Sequence, residues 1–324
     1  MNGADTTETR AVRLEDTELG RPGITVLAGH AGVGKTNLAL NLALALTRAS
    51  GESGEAVGRD VTLADLDLVN PYFRSSDYVD ALASAGVQMV APTFARTGLD
   101  TPSVGGELRG AIERAGAGER TGKAGELKST GENEAPAGAI EARTSSGAAN
   151  PGTPPSARTP SGTAGPDVLP RLVIDVGGDD GAVALGRYAA ELERGRTRLY
   201  YVVNAFRNLT ATPEEALEVL AEVERSSRLA ACGVVNCSNL AGETTWEHVE
   251  RGRAFARAVA AHAGLPLVLT VVPEALAGEK PAGGTLRTAA AGSPACETAT
   301  GESTDAPEPL AFVRRLVLPP WEKA

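Results

Sequence analysis

Long hydrophobic runs are missing from this chain of 324 residues. No apolar stretch approaches the roughly 18 residues that a membrane-spanning helix requires. The N-terminus, residues 1–21, is acidic and threonine-rich and has no apolar core of the kind found in signal peptides. We therefore expect a cytoplasmic protein that is not exported and whose first 21 residues are flexible.

Cysteine and net positive charge are also scarce. The three cysteines, Cys232, Cys237 and Cys296, show neither a C-x-x-C spacing nor an even count. This pattern argues against a disulfide framework or a zinc knuckle and fits a reducing compartment. Because the formal net charge is −10, we expect no nucleic-acid partner.

Two segments lack the apolar side chains that build a core. Residues 116–167 and 276–309 consist mainly of Gly, Ala, Ser, Thr, Pro and Glu. Such sequences bury too little apolar surface to offset the entropy lost on ordering, so we predict that both are disordered. Residues 22–115 and 168–275 are then one folded domain, and residues 310–324 a C-terminal segment that packs on it or binds a partner.

The most informative pattern present is GHAGVGKT at residues 29–36, a complete G-x-x-x-x-G-K-[ST] phosphate-binding loop. An apolar run precedes it and a stretch without Gly or Pro follows it, so the order is strand, loop, helix. Backbone N–H groups of the loop would surround the β-phosphate, with the helix dipole behind them. We expect Lys35 to reach the β- and γ-phosphates as a catalytic residue and Thr36 to ligate Mg²⁺. The residues predicted here to bind the nucleotide are Gly29, His30, Ala31, Gly32, Val33, Gly34, Lys35, Thr36 and Asn37.

Apolar, β-rich runs alternate with helical patterns along the chain. They lie at residues 24–28, 61–65, 87–91, 172–176, 199–203, 232–236 and 267–272. This alternation predicts an α/β fold with a doubly wound, mostly parallel sheet of about seven strands. Capping boxes at residues 212–215 and 244–247 predict the starts of two helices, and Gly264 is expected to end the second.

Two of the runs carry an aspartate at or next to their last residue. Asp65 and Asp67 follow the second run, at the strand end where open α/β sheets bind ligands, and one or both could hold Mg²⁺-bound water or orient the attacking water. Taken alone, this pair is more typical of a solvated strand end. The later run carries Asp175 next to its last residue, where a Walker B strand has its aspartate. The D-x-x-G spacing that follows places the N–H of Gly178 where it could sense the γ-phosphate. With the phosphate loop upstream, we predict that Thr36, Asp65 and Asp175 hold the Mg²⁺.

The phosphate loop, the Asp65-Leu-Asp67 pair and the segment at residues 172–178 together resemble the SIMIBI-class P-loop ATPases of the MinD, ParA and CooC type. That superfamily also includes the CobQ/CobB proteins. The resemblance implies a P-loop NTPase fold and a nucleotide-driven switch, in which ATP and Mg²⁺ organise the loops after Asp67 and Asp175 and a protein partner or a homodimer reads the difference. It also implies that Asp67 orients the hydrolytic water.

One position departs from that family. The second, signature lysine of the loop aligns with His30, and an imidazole carries no permanent positive charge for the transition state. Arg74 and Arg207 are candidates for a replacement cation, and a surface salt bridge is the alternative role for each.

The choice of base is predicted from VVNCSN at residues 234–239. This segment lacks the Lys and Asp of the N-K-x-D guanine motif, so it offers no carboxylate to guanine N1 and N2. We expect adenine, with Asn236 or Asn239 at the base. The alternative is that these asparagines close the turn after the strand.

The leading hypothesis is thus a Mg²⁺-dependent ATPase that acts as a molecular switch. One alternative is a biosynthetic synthetase of the dethiobiotin or cobyrinate type, and another is a nucleotide-binding scaffold that does not hydrolyse. The run at residues 310–318 resembles the basic amphipathic tail by which MinD docks on membranes. It holds two cations and ends at Pro-Pro, so packing on the domain is favoured over a membrane contact.

Overall fold

The computed structural model describes residues 9–48, 60–66, 78–91, 105–121, 170–195, 197–208, 210–279, 286–288 and 308–317. Asp67, Arg74 and Cys296 lie outside these described residues, as does most of the two segments predicted to be disordered.

Ten strands and seven helices form within the described residues. The strands are β1 Thr9–Ala11, β2 Ile24–Ala28, β3 Val61–Asp65, β4 Val87–Val90, β5 Arg171–Asp175, β6 Thr197–Val203, β7 Ala231–Asn236, β8 Leu267–Pro273, β9 Leu286–Thr288 and β10 Leu310–Val313. The helices are α1 Lys35–Arg48, α2 Val79–Ser84, α3 Gly105–Thr121, α4 Gly178–Gly186, α5 Ala189–Arg194, α6 Pro213–Ser227 and α7 Trp246–Ala263.

All ten strands belong to one sheet, in the order β4-β3-β5-β2-β6-β7-β8-β10-β1-β9. Every pairing is parallel. The predicted α/β, doubly wound sheet is therefore confirmed, and its seven predicted runs are β2 to β8. Three short strands that the sequence pattern did not reveal extend the sheet beyond β8.

Helices cover both faces of the sheet. The apolar side of α1 packs with Leu27, Leu63 and Val173 on one face. Helices α3 to α7 pack on the other face, where Val26 and Ile174 belong to the second large core. Because successive strand side chains point to opposite faces, the central strands are buried on both sides. No helix in the described part of the chain is long and apolar enough to cross a membrane.

The N-terminal segment is more ordered than predicted. Residues 9–21 form β1 and two 3-10 turns, which contain the buried side chains of Leu14 and Leu19. The hydroxyl of Thr25 donates to Leu19 O (2.8 Å), and that of Tyr200 donates to Glu18 O (2.9 Å). The prediction of a flexible segment is wrong for these residues, because two leucines and the backbone carbonyls anchor them to the sheet.

Both segments predicted to be disordered contain ordered residues. Helix α3 continues to Thr121, beyond residue 116 where disorder was expected. A Cβ added to Gly116 would lie 2.9 Å from Gly195 Cα, so the small residue lets the helix pack closely at this point. In the second segment, Leu286–Thr288 pairs with β1 as β9. The beginning of the C-terminal segment, Leu310–Val313, is β10.

The predicted helix ends are correct in two cases out of three. Thr212 and Glu215 form the capping box of α6, and Gly264 ends α7 with a φ of 66°. Helix α7, however, is capped by Thr245 and His248 rather than by the residues at 244 and 247. The hydroxyl of Thr244 instead donates to Ala241 O (2.8 Å) and accepts from Leu240 N (2.9 Å), which closes the preceding turn.

Candidate functional site

The phosphate loop, residues 29–36, joins the central strand β2 to the first turn of α1. The predicted order of strand, loop and helix is thus confirmed. Gly29 adopts a φ of 150°, and a Cβ at this position would lie 2.4 Å from Val202 O of β6. Only glycine fits this approach between the loop and the neighbouring strand. The loop is anchored by buried Val33, whereas Ala31 and Gly32 at its apex are exposed.

Lys35 begins α1 and curls back across the loop. Its side chain is 5% exposed, and Nζ donates to Gly29 O (2.8 Å) and His30 O (2.7 Å). The ammonium group is therefore held against the backbone of the loop by the carbonyls of its first two residues. This position places a positive charge at the N-terminus of α1, where the helix dipole also favours an anion.

Asp65 and Asp175 are neighbours at the carboxyl edge of the sheet. They end the adjacent strands β3 and β5, pair in register, and are each 1% exposed. Leu63 and Val173, two residues earlier, pack in the core beneath α1. Because side chains alternate along a strand, both carboxylates face α1 as well. Asp175 O also accepts from Leu66 N (2.8 Å), which continues the pairing past the strand ends.

These residues fit a magnesium ion. Two buried carboxylates in register on adjacent strands repel each other unless a cation or a proton lies between them. Carboxylate and hydroxyl oxygens are ligands that Mg²⁺ prefers, and half-buried Thr36 lies in the first turn of α1. Among the described residues, which omit Asp67, no group of three or more His, Cys, Asp or Glu side chains could hold a metal. The remaining ligands would thus be Thr36, water and phosphate oxygens.

Helix α4 begins directly beside these carboxylates. Gly177 caps it, and Gly178, its first residue, has a φ of 49° that favours glycine. A Cβ on Gly181 would lie 2.7 Å from Leu66 O. The first turn of α4 therefore packs against the end of β3, and the backbone of Gly178 follows Asp175 by three residues, as the D-x-x-G spacing requires.

Asn37 is engaged away from the loop, in contrast to its predicted role in nucleotide binding. Its Oδ1 accepts from the backbone N–H groups of Leu316 (2.8 Å) and Val317 (3.2 Å), and its Nδ2 donates to Arg314 O (2.9 Å). Asn41, one turn later, exchanges two hydrogen bonds with the backbone of Arg314. We call residues 314–317 the C-terminal clasp. The side chain of Asn37 therefore holds this clasp against the first turn of α1, which is a structural role.

Asn236 is also internal. It is 1% exposed, its Oδ1 accepts from Ser238 N (3.0 Å), and its Nδ2 donates to Thr270 Oγ1 (3.4 Å). The structure therefore supports the alternative in which this asparagine closes the turn after β7. Half-buried Asn239 lies nearer the loop, with its Nδ2 3.8 Å from where a Cβ of Gly34 would stand. That Nδ2 donates to Cys237 O (2.8 Å).

Cys237 and Arg207 also border the loop. A Cβ on Gly34 would lie 3.4 Å from Cys237 Cβ. Burial raises the pKa of the Cys237 thiol to about 12, although the charge of Lys35 acts in the opposite direction. The thiol is thus neutral and inert, as a buried structural cysteine is. Arg207, a predicted candidate cation, lies against the apex, 3.8 Å from Nε to the position of a Cβ on Gly32.

No protein-family model and no curated protein matches this sequence. Among solved structures, the chain is similar to one described as the BceF tyrosine kinase domain, at 16% sequence identity over 68% of this chain and 71% of that chain. The TM-score of this pair is 0.33, too low to bear on what this chain binds or does.

Proposed function

We propose that this protein binds ATP and Mg²⁺ and hydrolyses the nucleotide as a molecular switch of the MinD and ParA type. The observation that carries the proposal is the placement of three features at one edge of the sheet. These are the glycine-rich loop with Lys35 held against its backbone, the N-terminus of α1, and the in-register pair Asp65 and Asp175 on the same face. Together they offer amide donors and a cation to phosphate, and oxygen ligands to a divalent ion.

Each residue has a defined task in this proposal. Lys35 exchanges the carbonyls of Gly29 and His30 for phosphate oxygens when the nucleotide binds. Thr36, Asp65 and Asp175 hold Mg²⁺, which neutralises charge on the β- and γ-phosphates. Asp67 orients the attacking water, as the family resemblance implies. The turn at Gly177 and Gly178, between Asp175 and α4, is the segment whose conformation would change with the γ-phosphate.

The same edge of the sheet suggests how the base is chosen. Asn239 lies beside Gly34 and is half-buried, whereas Asn236 is only 1% exposed. We therefore assign the adenine contact to Asn239 rather than to Asn236. Competition of ATP and GTP for a fluorescent nucleotide should show a preference for ATP that Asn239→Ala reduces.

The decisive experiment compares the full chain with Lys35→Ala and with a matched control, Arg48→Ala. Arg48 is an exposed cation at the opposite end of the same helix. Calorimetry with Mg²⁺ and a non-hydrolysable ATP analogue should show binding by the wild type and by the control. Binding by Lys35→Ala should be at least about tenfold weaker, because a charged hydrogen bond contributes about 1.5–3 kcal/mol.

Phosphate release separates the candidate reactions. Slow release from ATP and water alone, lost in Lys35→Ala, supports the switch. Release that requires an added carboxylic acid or amine would instead indicate a synthetase. Tight binding without release would indicate a scaffold. If the wild type bound no nucleoside triphosphate in the presence of Mg²⁺, the proposal would be wrong in every form.

A further inference from the structure

The phosphate loop carries a single permanent positive charge. Of its residues GHAGVGKT, Lys35 alone is a lysine or arginine. Transfer of a phosphoryl group spreads negative charge over the γ-phosphate oxygens and the leaving oxygen, and one well-placed arginine accelerates such reactions by about 10³–10⁵. A second cation at the exposed apex of this loop would therefore have a large effect on turnover.

Arg207 occupies that position. It lies in the turn after β6, the strand next to β2, so this turn and the phosphate loop leave the sheet side by side. A Cβ on Gly32 would lie 3.8 Å from Arg207 Nε and 4.0 Å from both Cδ and Cζ. The end of the side chain thus runs along the apex, and the glycine leaves room for it.

The backbone that presents Arg207 is fixed by three hydrogen bonds. Asn204 O accepts from Arg207 N (3.3 Å), and Asn204 Oδ1 accepts from Phe206 N (3.0 Å). Ala205 N donates to Ser238 Oγ (3.0 Å), which ties the turn to the loop after β7. Such anchoring fixes where the side chain starts, so less ordering is needed when it binds an anion.

Asn204 itself contributes a second observation. It is fully buried, and its Nδ2 has no hydrogen-bond partner among the described residues. A buried donor without an acceptor costs about 1–3 kcal/mol, and this cost is tolerated where a ligand supplies the acceptor. A buried side-chain NH₂ group without an acceptor therefore lies in the same turn as Arg207, at the edge of the sheet where the anion is proposed to bind.

The guanidinium of Arg207 is available for a ligand. Its side chain is exposed, and no carboxylate within the described ranges forms an ion pair with it. The surface salt bridge considered as its alternative role is thus not observed there. Nearby Arg251 differs, because its guanidinium carbon lies over the Phe206 ring, 5.3 Å from the centroid. Arg251 is held by this cation–π contact and serves as a matched control.

We propose that Arg207 is a catalytic residue that supplies positive charge to the transferred phosphoryl group from within the same chain, which rests on the proposed function. In the reaction, the water oxygen bonds to the γ-phosphorus while the bond between the γ-phosphorus and the β,γ-bridging oxygen breaks. The bonding electron pair leaves with ADP. One water proton stays on inorganic phosphate and the other passes to solvent. Arg207 stabilises the charge that grows on the bridging and γ-phosphate oxygens.

The test uses the full chain with Arg207→Ala, Arg207→Lys and Arg251→Ala. Calorimetry gives the dissociation constants of Mg·ADP alone and of Mg·ADP with aluminium fluoride, which mimics the transferred group in flight. For Arg207→Ala we expect the aluminium fluoride complex to weaken by about 10³-fold, the lower end of the effect of such an arginine and the upper end of that of one transition-state donor. Affinity for ADP alone should change less than about threefold, since Arg207 acts on the transferred group. The rate of ATP hydrolysis should fall by a factor similar to the loss of affinity for the aluminium fluoride complex.

Arg207→Lys should recover part of the lost affinity for the aluminium fluoride complex, because it restores charge without the planar guanidinium. Arg251→Ala should match the wild type in both affinities. Equal loss of both affinities in Arg207→Ala, or indistinguishable behaviour of Arg207→Ala and Arg251→Ala, would overturn the catalytic role while leaving nucleotide binding intact. A wild type without any nucleotide affinity would overturn the proposed function, and this inference with it.

Discussion

Replacing Glu308 by Gln should destabilise the fold strongly, because this carboxylate ties the C-terminal strand to α7. Glu308 lies two residues before the start of β10, and its Oε1 accepts from Arg253 Nε at 2.6 Å. Its Oε2 accepts from Arg257 Nη2 at 2.9 Å, and Thr270 Oγ1 donates to Oε1 at 3.3 Å. The side chains of Glu308 and Arg253 are each only 5% exposed.

The magnitude follows from burial. Removing one partner of a buried ion pair costs about 3–5 kcal/mol, because the other charge loses most of its compensation. Arg257 is 49% exposed, so water replaces most of the interaction that it loses with Glu308, and this pair adds little to the cost. Glutamine keeps the shape and can still accept one hydrogen bond, which places the expected loss at the lower end, about 3 kcal/mol. At about 2–4 °C per kcal/mol, the melting temperature should fall by about 6–12 °C.

The same contact sets a pH dependence. Burial acts to raise the pKa of Glu308, but the hydrogen bonds and charges of Arg253 and Arg257 outweigh it, and the pKa is lowered in the folded chain. A lowered folded pKa means that the stabilisation is complete above the unfolded pKa of about 4.3 and is lost as the pH falls through the folded value. The difference in stability between the wild type and Glu308→Gln should therefore be constant at neutral pH and shrink in acid.

Chemical and thermal unfolding followed by circular dichroism would measure both effects. The matched control is Glu250→Gln, because Glu250 contacts the same Arg253 (2.9 Å) but is 41% exposed. An exposed pair contributes about 0–1 kcal/mol, so this variant should unfold close to the wild type. Equal losses in the two variants would refute the reasoning from burial, as would a Glu308→Gln chain as stable as the wild type at pH 7.

Two further predictions concern the surroundings of the phosphate loop. Asn41→Ala should speed amide hydrogen exchange in the C-terminal clasp, since Asn41 exchanges two hydrogen bonds with the backbone of Arg314. Thr47→Ala, which removes a bond to Leu44 O within α1, should leave that exchange unchanged. Cys237 should resist alkylation at pH 8 in the folded protein and react once the chain is unfolded, because its thiol, with a pKa of about 12, is neutral and buried. Rapid modification of folded protein at this residue, detected by mass spectrometry, would contradict its assigned environment.

The sequence predicts those parts of the fold and of the candidate site that depend on neighbouring residues. The apolar runs predicted β2 to β8, since helical patterns lie between several of the runs and a parallel sheet needs strands that are apolar on both faces. The loop motif located Lys35 at the start of α1. It also implied that Asp65 and Asp175 approach each other, because the carboxyl ends of adjacent parallel strands share one edge.

The sequence does not reveal the side-chain partners that lie far away in the chain. Asn37 follows the motif directly and was assigned to the nucleotide, but its partner Arg314 lies 277 positions later. Asn236 similarly bonds Thr270, 34 positions away. The short strands β1, β9 and β10 pair with one another or with β8, and three or four residues are too few to show a periodicity. Long-range hydrogen bonds of this kind leave no trace in local composition.

The C-terminal clasp is hydrogen-bonded to the helical turn that follows the phosphate loop. Asn37 lies one residue after Thr36, so the hydrogen bonds to residues 314–317 are attached to the helical turn that carries Lys35. The clasp in turn continues from β10, which is inserted between β8 and β1 and held by Glu308. Shifting β10 would therefore pull on the start of α1, because hydrogen-bonded elements in a packed core move together. The C-terminal segment, for which the sequence favoured packing on the domain, therefore supports the helical turn that carries the proposed nucleotide site.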